Sequence, residues 1–297
     1  MYWWFLTSDT TQVLMVEVLV LVDDYSGFTK LLGEHGFSAL INVRYGDGRD
    51  YKVLLDAGES GRVLEENALS LGVDLKKIDV VVLSHRHHDH SGGLSSLTEF
   101  LEGRPLVAHP AVMKPCYADS ERFKRFDVGL TLRARRAMQE FETVLIKTPL
   151  EIAPDLWFLG EIERYYDNEY AVKNFKTLEG GELVREPMLD DTGVAIKVGS
   201  SVVVVAGCSH SGIQNIVRQA RKLTNAKEVI AVGGFHLTDA DEETLRRVTE
   251  ELVSEGVTEV HTGHCTGLRG ETELLRRYRE KMHKIHSGYR IKIKANI

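Results

Sequence analysis

The chain has 297 residues, 43% hydrophobic and 27% charged, which is enough for a substantial core and excludes a fibrous or low-complexity protein. A formal net charge of −7 argues against a general binder of long nucleic acid, because phosphates are held by clustered Lys and Arg. The cysteines, Cys116, Cys208 and Cys265, are odd in number and show no C-x-x-C spacing, which excludes a disulfide scaffold and fits a reduced, cytoplasmic setting.

In chain order, the opening Met1-Tyr2-Trp3-Trp4-Phe5-Leu6 carries no basic n-region. The apolar stretch 13–22 is interrupted by Glu17 and is too short to span a bilayer, so no membrane attachment is expected. A first strand is expected from Val16, with Met15 as the natural start. Residues 1–15 then read as an extension, over-called or disordered, ahead of a single domain over 16–297. Strands follow at 37–45 and 51–55 around a Gly46-Asp47-Gly48 turn, then a helix over 61–71. Another strand at 80–83 leads into a polar loop, a helix over 94–101 and a short strand over 105–108.

Residues 110–190 read as an irregular insertion. Within it, 122–140 is a charge run that predicts a solvated helix face, or else a lid presenting Arg to an anionic substrate. Residues 165–190 have few apolar repeats and read as a substrate-side flap. The C-terminal half alternates. Strands at 193–198 and 202–206 precede a helix over 213–223, and a strand at 229–232 precedes a helix over 242–255. A strand at 257–261, a helix over 268–282 and a last strand at 289–293 complete the chain. Two halves, each beginning with hairpin strands and ending in strand–helix units, predict an α/β protein. Its architecture is a four-layer αββα sandwich with the strand-end loops meeting at one edge.

The strongest chemical signal is the loop Ser84-His85-Arg86-His87-His88-Asp89-His90-Ser91-Gly92-Gly93, with an H-x-H-x-D-H pattern. Alternate residues in an extended segment point the same way, so His85 and His87 can reach one ion, while Asp89 and His90 can supply another close by. Imidazole and carboxylate donors suit zinc first, with manganese, iron or magnesium as alternatives, and one or two ions are expected. Ions about 3.5–4 Å apart form the arrangement used to split esters and amides.

Further strand-end loops repeat the form. Gly207-Cys208-Ser209-His210-Ser211-Gly212 offers His210 as a ligand, and Thr262-Gly263-His264-Cys265-Thr266-Gly267 offers His264. The metal set is therefore His85, His87, Asp89, His90, His210 and His264, with His109 as a weaker substitute for His210. Cys208 is a bridging thiolate, a redox-sensitive thiol beside the ions, or a packing residue. Asp56, at the end of an earlier strand, is expected to orient a ligand rather than bind the ion. His236, in Gly233-Gly234-Phe235-His236-Leu237, joins Asp89 as a candidate catalytic residue, as a proton donor or orienting group. His35, His88, His261, His283 and His286 read as surface or turn residues.

Leu55-Asp56-Ala57-Gly58, the His85–His90 motif and His264 together resemble the metallo-β-lactamase fold. The loops Glu34-His35-Gly36-Phe37-Ser38, Asp190-Asp191, 207–212, 233–237 and 264–267 resemble one branch of it, the 7,8-dihydropterin-6-methyl-4-(β-D-ribofuranosyl)aminobenzene 5′-phosphate synthase-like proteins. The resemblance spans about residues 16–267 and implies the αββα fold with a metal-dependent site. Two features depart from the lactamase pattern: no His lies between His109 and His210, and Cys208 stands where a bridging Asp is expected.

The function expected is a metal-dependent hydrolase or transferase acting on a small phosphorylated substrate, which the resemblance extends to a dihydropterin diphosphate. Arg122, Arg125, Lys173 and Lys176 are candidates to hold its phosphates. A phosphodiesterase or nuclease of the same fold and a non-catalytic metal-containing binding protein are the alternatives. Homo-oligomerisation is left open.

Overall fold

Along the strand Val13–Val22, Val16, Val18 and Val20 alternate with Leu19 and Leu21, and both sets are buried. A strand apolar on both faces needs a partner layer on each side. The computed structural model, which describes residues 11–28, 30–119 and 126–295, supplies both. Val16, Val18 and Val20 pack with Ile41, Val53 and Val82 against Phe158, Ile196, Val203, Val205 and Val232 of a facing sheet. Leu19 and Leu21 turn to the opposite side, against the helices Gly61–Ser70 and Leu94–Leu101 through Leu64, Leu94 and Leu97. The second sheet does the same through Val202 and Val204, under the helices Ile213–Thr224, Glu242–Ser254 and Gly267–Tyr278. The result is an αββα sandwich of two seven-stranded sheets.

Both sheets pass from antiparallel to parallel pairing. In the first, Asp50–Leu55, Val80–Val82, Pro105–Ala108 and Glu142–Leu145 are parallel neighbours. In the second, Ser201–Ala206, Glu228–Gly234, Val257–Gly263 and Met282–Lys284 are. Each parallel strand ends at the same edge of its sheet, so the loops that follow are brought together there. Among the described residues no helix is long and apolar enough to cross a membrane.

Several expectations are corrected. The first strand begins at Val13 rather than Val16, with Val13 paired to Tyr45 and Met15 to Arg44, so residues 13–15 belong to the sheet and not to an extension. Residues 1–10 lie outside the described residues. The 110–190 stretch is not one insertion. Glu142–Leu145 edges the first sheet, and Leu150–Ala153 with Leu156–Phe158 edges the second. Of the helix expected over 122–140, the described residues show an α-helix at Leu132–Ala137, where the Thr131 hydroxyl caps it by accepting from the Ala134 amide, and a short 3-10 turn after it. Phe126–Asp127 is instead a short strand.

The 165–190 flap contains a hairpin, Phe175–Glu179 and Glu182–Arg185, turning through Gly180-Gly181. With Tyr117–Ala118 and Phe126–Asp127 it forms a small four-stranded sheet over the site. The last long helix stops at Tyr278, because Arg279 takes a left-handed φ of 54°, and Met282–Lys284 continues as an edge strand.

A buried ion cluster fastens the histidine loop to this upper region. Arg86 pairs with Glu186 at 2.6 Å and Asp190 at 2.9 Å, all three side chains being almost wholly buried. Its guanidinium also donates to the Ala111 carbonyl, and its amide donates to Asp190 Oδ2. Removing the cation would strand two buried carboxylates. Arg86→Ala is expected to destabilise the fold by about 3–5 kcal/mol, read by urea unfolding. A loss below about 1 kcal/mol would show that the cluster is solvated in solution.

Candidate metal centre

The centre is built where loops from the two sheets converge. Ser84–His90 and Asp56 come from the first sheet. Cys208, His210, His236 and His264 come from the second. Non-glycine residues in the left-handed region recur here: Asp56, Ser209, His236 and His264 have φ of 59°, 63°, 47° and 42°. Backbone held in this region carries a conformational cost that the surrounding packing must over-determine. Gly207 marks how close the sheets approach. A Cβ there would lie 2.2 Å from Ser84 Oγ and 2.7 Å from Asp56 Oδ2.

Four histidines have their Nδ1 atoms engaged outward. His90 donates to Asp56 Oδ2 at 2.7 Å, His264 to Asp24 Oδ1 at 2.7 Å, and His210 to the Ala171 carbonyl at 3.0 Å. His85 donates to Ser84 Oγ at 2.9 Å, and that hydroxyl donates on to Asp56 Oδ2 at 2.6 Å. Each contact favours the tautomer whose Nε2 lone pair faces inward. At His264, the neighbouring Cys265, Asp24 and Asp89 outweigh burial and raise the ring's pKa well above the usual range, so a bound cation would take the place of its Nε2 proton.

Those Nε2 atoms converge. His90 Nε2 and His264 Nε2 are 3.2 Å apart, and each is within 3.2 Å of Cys208 Sγ. Asp89 Oδ2 lies 3.5 Å from His90 Nε2 and 3.4 Å from His264 Nε2. Donors about 2.0–2.3 Å from a tetrahedral ion stand ~3.3 Å from one another, so these four atoms have the spacing of a coordination shell. Beside them the rings of His85, His87 and His210 form a triangle with centroids 4.6–5.0 Å apart. His85 Nε2 and His210 Nε2 are buried with no hydrogen-bond partner. Cys208 belongs to both groups, since its sulfur is within 4.8 Å of donor atoms on His85 and His210 as well. This donor set fits one or two divalent ions.

The electrostatics agree. Burial, and after it the neighbouring histidines, pushes His85 and His210 well below the usual imidazole range, and burial does the same to His87. All three are neutral at neutral pH. Burial alone would raise Asp89, but His90 and His264 outweigh it and keep the carboxylate ionised. Burial pushes the Cys208 thiol up, which leaves the sulfur protonated unless a cation takes the proton's place.

The structure thus brings together His85, His87, Asp89, His90, His210, His264 and Cys208. Asp56 touches Ser84 and His90 and orients them. His109 is elsewhere: its Nδ1 caps a short turn by accepting from the Ala111 amide, and its Nε2 faces Glu161. His236 lies with its ring 4.1 Å from that of His210. A cavity of about 150 Å³ opens over the centre, walled by Phe175, Val128, His35, His88 and His236. Neither Lys173 nor Lys176 reaches it. Lys176 follows Phe175 in a strand, where successive side chains point to opposite faces, and Phe175 takes the inward position. Lys173 reaches instead towards the Asp239 carbonyl. Arg122 and Arg125 lie outside the described residues.

Sequence reasoning missed Asp23 and Asp24. The Asp23 carboxylate accepts the His264 amide at 3.0 Å, and Asp24 orients the His264 ring. His35, expected to be an ordinary surface residue, is exposed but bridges Asp24 and the Asp89 edge of the centre. His261 is buried rather than exposed. The available signal was the acidic pair ending the first strand, opposite a Gly-flanked His35.

A family model described as a beta-lactamase superfamily domain matches residues 51–154. The 7,8-dihydropterin-6-methyl-4-(beta-D-ribofuranosyl)-aminobenzene-5′-phosphate synthase of Methanocaldococcus jannaschii is 32% identical over 285 residues, 93% of this chain and 96% of that protein. The chain belongs to the metallo-β-lactamase superfamily. Within the superfamily it falls in the branch of that synthase. A second M. jannaschii protein, named as uncharacterized, is 31% identical over 88% of this chain and 93% of its own length. The crystal structure of Tm1679, a metal-dependent hydrolase of the superfamily, matches with a TM-score of 0.80 at 26% identity, covering 94% of this chain and 99% of that one. Membership and the clustered donors together imply a divalent metal centre.

Asp56 holds both the His85–Ser84 relay and His90, so its removal should loosen ligands of both groups. Asp56→Ala is expected to weaken metal affinity about 10–100-fold, measured by competition with a chromophoric chelator. Unchanged affinity would mean that Asp56 only packs.

Proposed function

We propose that the chain is a metal-dependent transferase for small phosphorylated molecules, joining a dihydropterin-methyl diphosphate to an aminobenzene ribosyl phosphate. The observation that carries the metal-dependent part is the convergence of imidazole Nε2 atoms on Cys208. The substrate assignment is supported by the named synthase that matches nearly the whole chain. In this reading His85, His87 and His210 would hold one ion, and Asp89, His90 and His264 the other, with Cys208 within reach of donors in both sets. A bound ion supplies Lewis acidity for phosphate oxygens and counter-charge for a departing diphosphate.

The chain's own residues supply the rest. Among the described residues no lysine or arginine lines the cavity, so there the diphosphate would meet the side chains that hold the metal. Phe175 offers an aromatic face beside His87 and His210, suited to stacking a flat ring. The aminobenzene nitrogen attacks the methyl carbon, the carbon–oxygen bond to diphosphate breaks, and diphosphate leaves with the electron pair. The proton lost from the attacking amine passes to His236, which borders the cavity.

The test supplies both substrates to the metal-loaded chain and follows product and diphosphate together. One diphosphate released per coupled product is expected. His236→Ala should lower kcat about 10²–10⁴-fold with metal content unchanged. Diphosphate release that proceeds equally well without the amine would make the protein a hydrolase and overturn the transferase reading.

A further inference from the structure

The outer edge of the second sheet carries another group of donors, used by nothing above. Glu259 and His261 are two apart on the strand Val257–Gly263 and so share one face. In the parallel register His261 stands opposite His283 of the edge strand Met282–Lys284. The two imidazole rings stack with centroids 4.5 Å apart and 12° between their planes. Both Nε2 atoms close on a single oxygen: Glu259 Oε1 is 3.1 Å from His261 Nε2 and 3.3 Å from His283 Nε2.

His261 is 3% exposed, and its Nε2 has no hydrogen-bond partner in spite of that short contact. Its other nitrogen lies 3.1 Å from the Tyr289 hydroxyl. The two rings are nearly parallel, so a shared ion would require the part-exposed His283 ring to turn about its Cβ–Cγ bond and bring its Nε2 lone pair towards that of the buried His261. The separations match the ~3.3 Å edge of a tetrahedral shell with bonds of about 2.0–2.2 Å. Burial, and then the charge of His283, brings the His261 pKa down to about 4, so its ring is neutral at neutral pH.

We infer that Glu259, His261 and His283 form a peripheral site for a divalent transition-metal ion, zinc first among them, separate from the main centre. Two imidazole nitrogens and one carboxylate oxygen suit zinc, copper or nickel, whereas magnesium and calcium prefer all-oxygen shells. The second oxygen of Glu259 lies 3.5 Å from Lys281 Nζ, which leaves Oε1 to the ion. The ammonium group also repels a dication, so the affinity is lower than at the main centre. His283 is part-exposed, which gives the ion a route in and leaves room for water to complete its shell. An ion held here ties the edge strand to the strand whose end carries His264.

Zinc titration of the chain with its main centre already loaded tests this, with uptake followed by equilibrium dialysis and melting by circular dichroism. The wild-type chain is expected to take up one equivalent more than His283→Ala. The added zinc should raise its Tm while leaving that of the variant unmoved. Glu259→Gln should weaken the extra equivalent about tenfold or more. His87→Ala, which damages the main centre, should keep the peripheral equivalent, so failure of one site is distinguishable from failure of the other. Equal uptake by wild type and His283→Ala would overturn the inference.

Discussion

Two imidazole nitrogens, His90 Nε2 and His264 Nε2, lie 3.2 Å apart, each with its partner nitrogen already donating elsewhere. Only a positive charge between them makes the contact favourable, and the Cys208 sulfur and Asp89 carboxylate close the same space. This constraint organises the molecule. Asp56, Asp24, Ser84 and the Ala171 carbonyl exist in the structure as the outward partners that favour those tautomers. Loss of one such partner frees a ring to rotate, and the lone pair it aimed inward is lost with it.

The sandwich supplies the precision that such a cluster needs. Asp56, Ser84 and His90 belong to loops of one sheet, while Cys208, His210 and His264 belong to loops of the other. The inter-sheet core of valine, isoleucine and phenylalanine therefore sets the distance across the centre. Gly207 shows how little slack remains, because a single methyl group there would intrude on Ser84 and Asp56. The small sheet formed by the hairpin Phe175–Glu179 and Glu182–Arg185 closes the third side. It is held down through the buried Arg86 cluster, which joins the histidine loop to Glu186 and Asp190.

Much of this was legible in the sequence because it rests on local pattern. The valine-rich alternation of both central strands, the H-x-H-x-D-H loop and the strand–glycine–histidine loops each announce themselves within about ten residues. What was not legible depends on tertiary approach. Asp24 and His264 are 240 positions apart, and nothing near either residue identifies the pair. Lys176 looked available for phosphate, but strand alternation gives the cavity to Phe175. The helix expected to run to residue 282 ends at Tyr278, because one arginine adopts a left-handed backbone that no propensity scale anticipates. The edge strand that follows is defined only by its neighbour.

The central claim is that Cys208 is a metal-bound thiolate shared at the heart of the centre, although burial alone would keep it a thiol. Zinc K-edge X-ray absorption on the loaded chain tests this most directly. The account predicts a sulfur scatterer at about 2.3 Å that disappears in Cys208→Ser and survives in Cys265→Ser. A shell of nitrogen and oxygen alone, or a sulfur signal unchanged by Cys208→Ser, would contradict it.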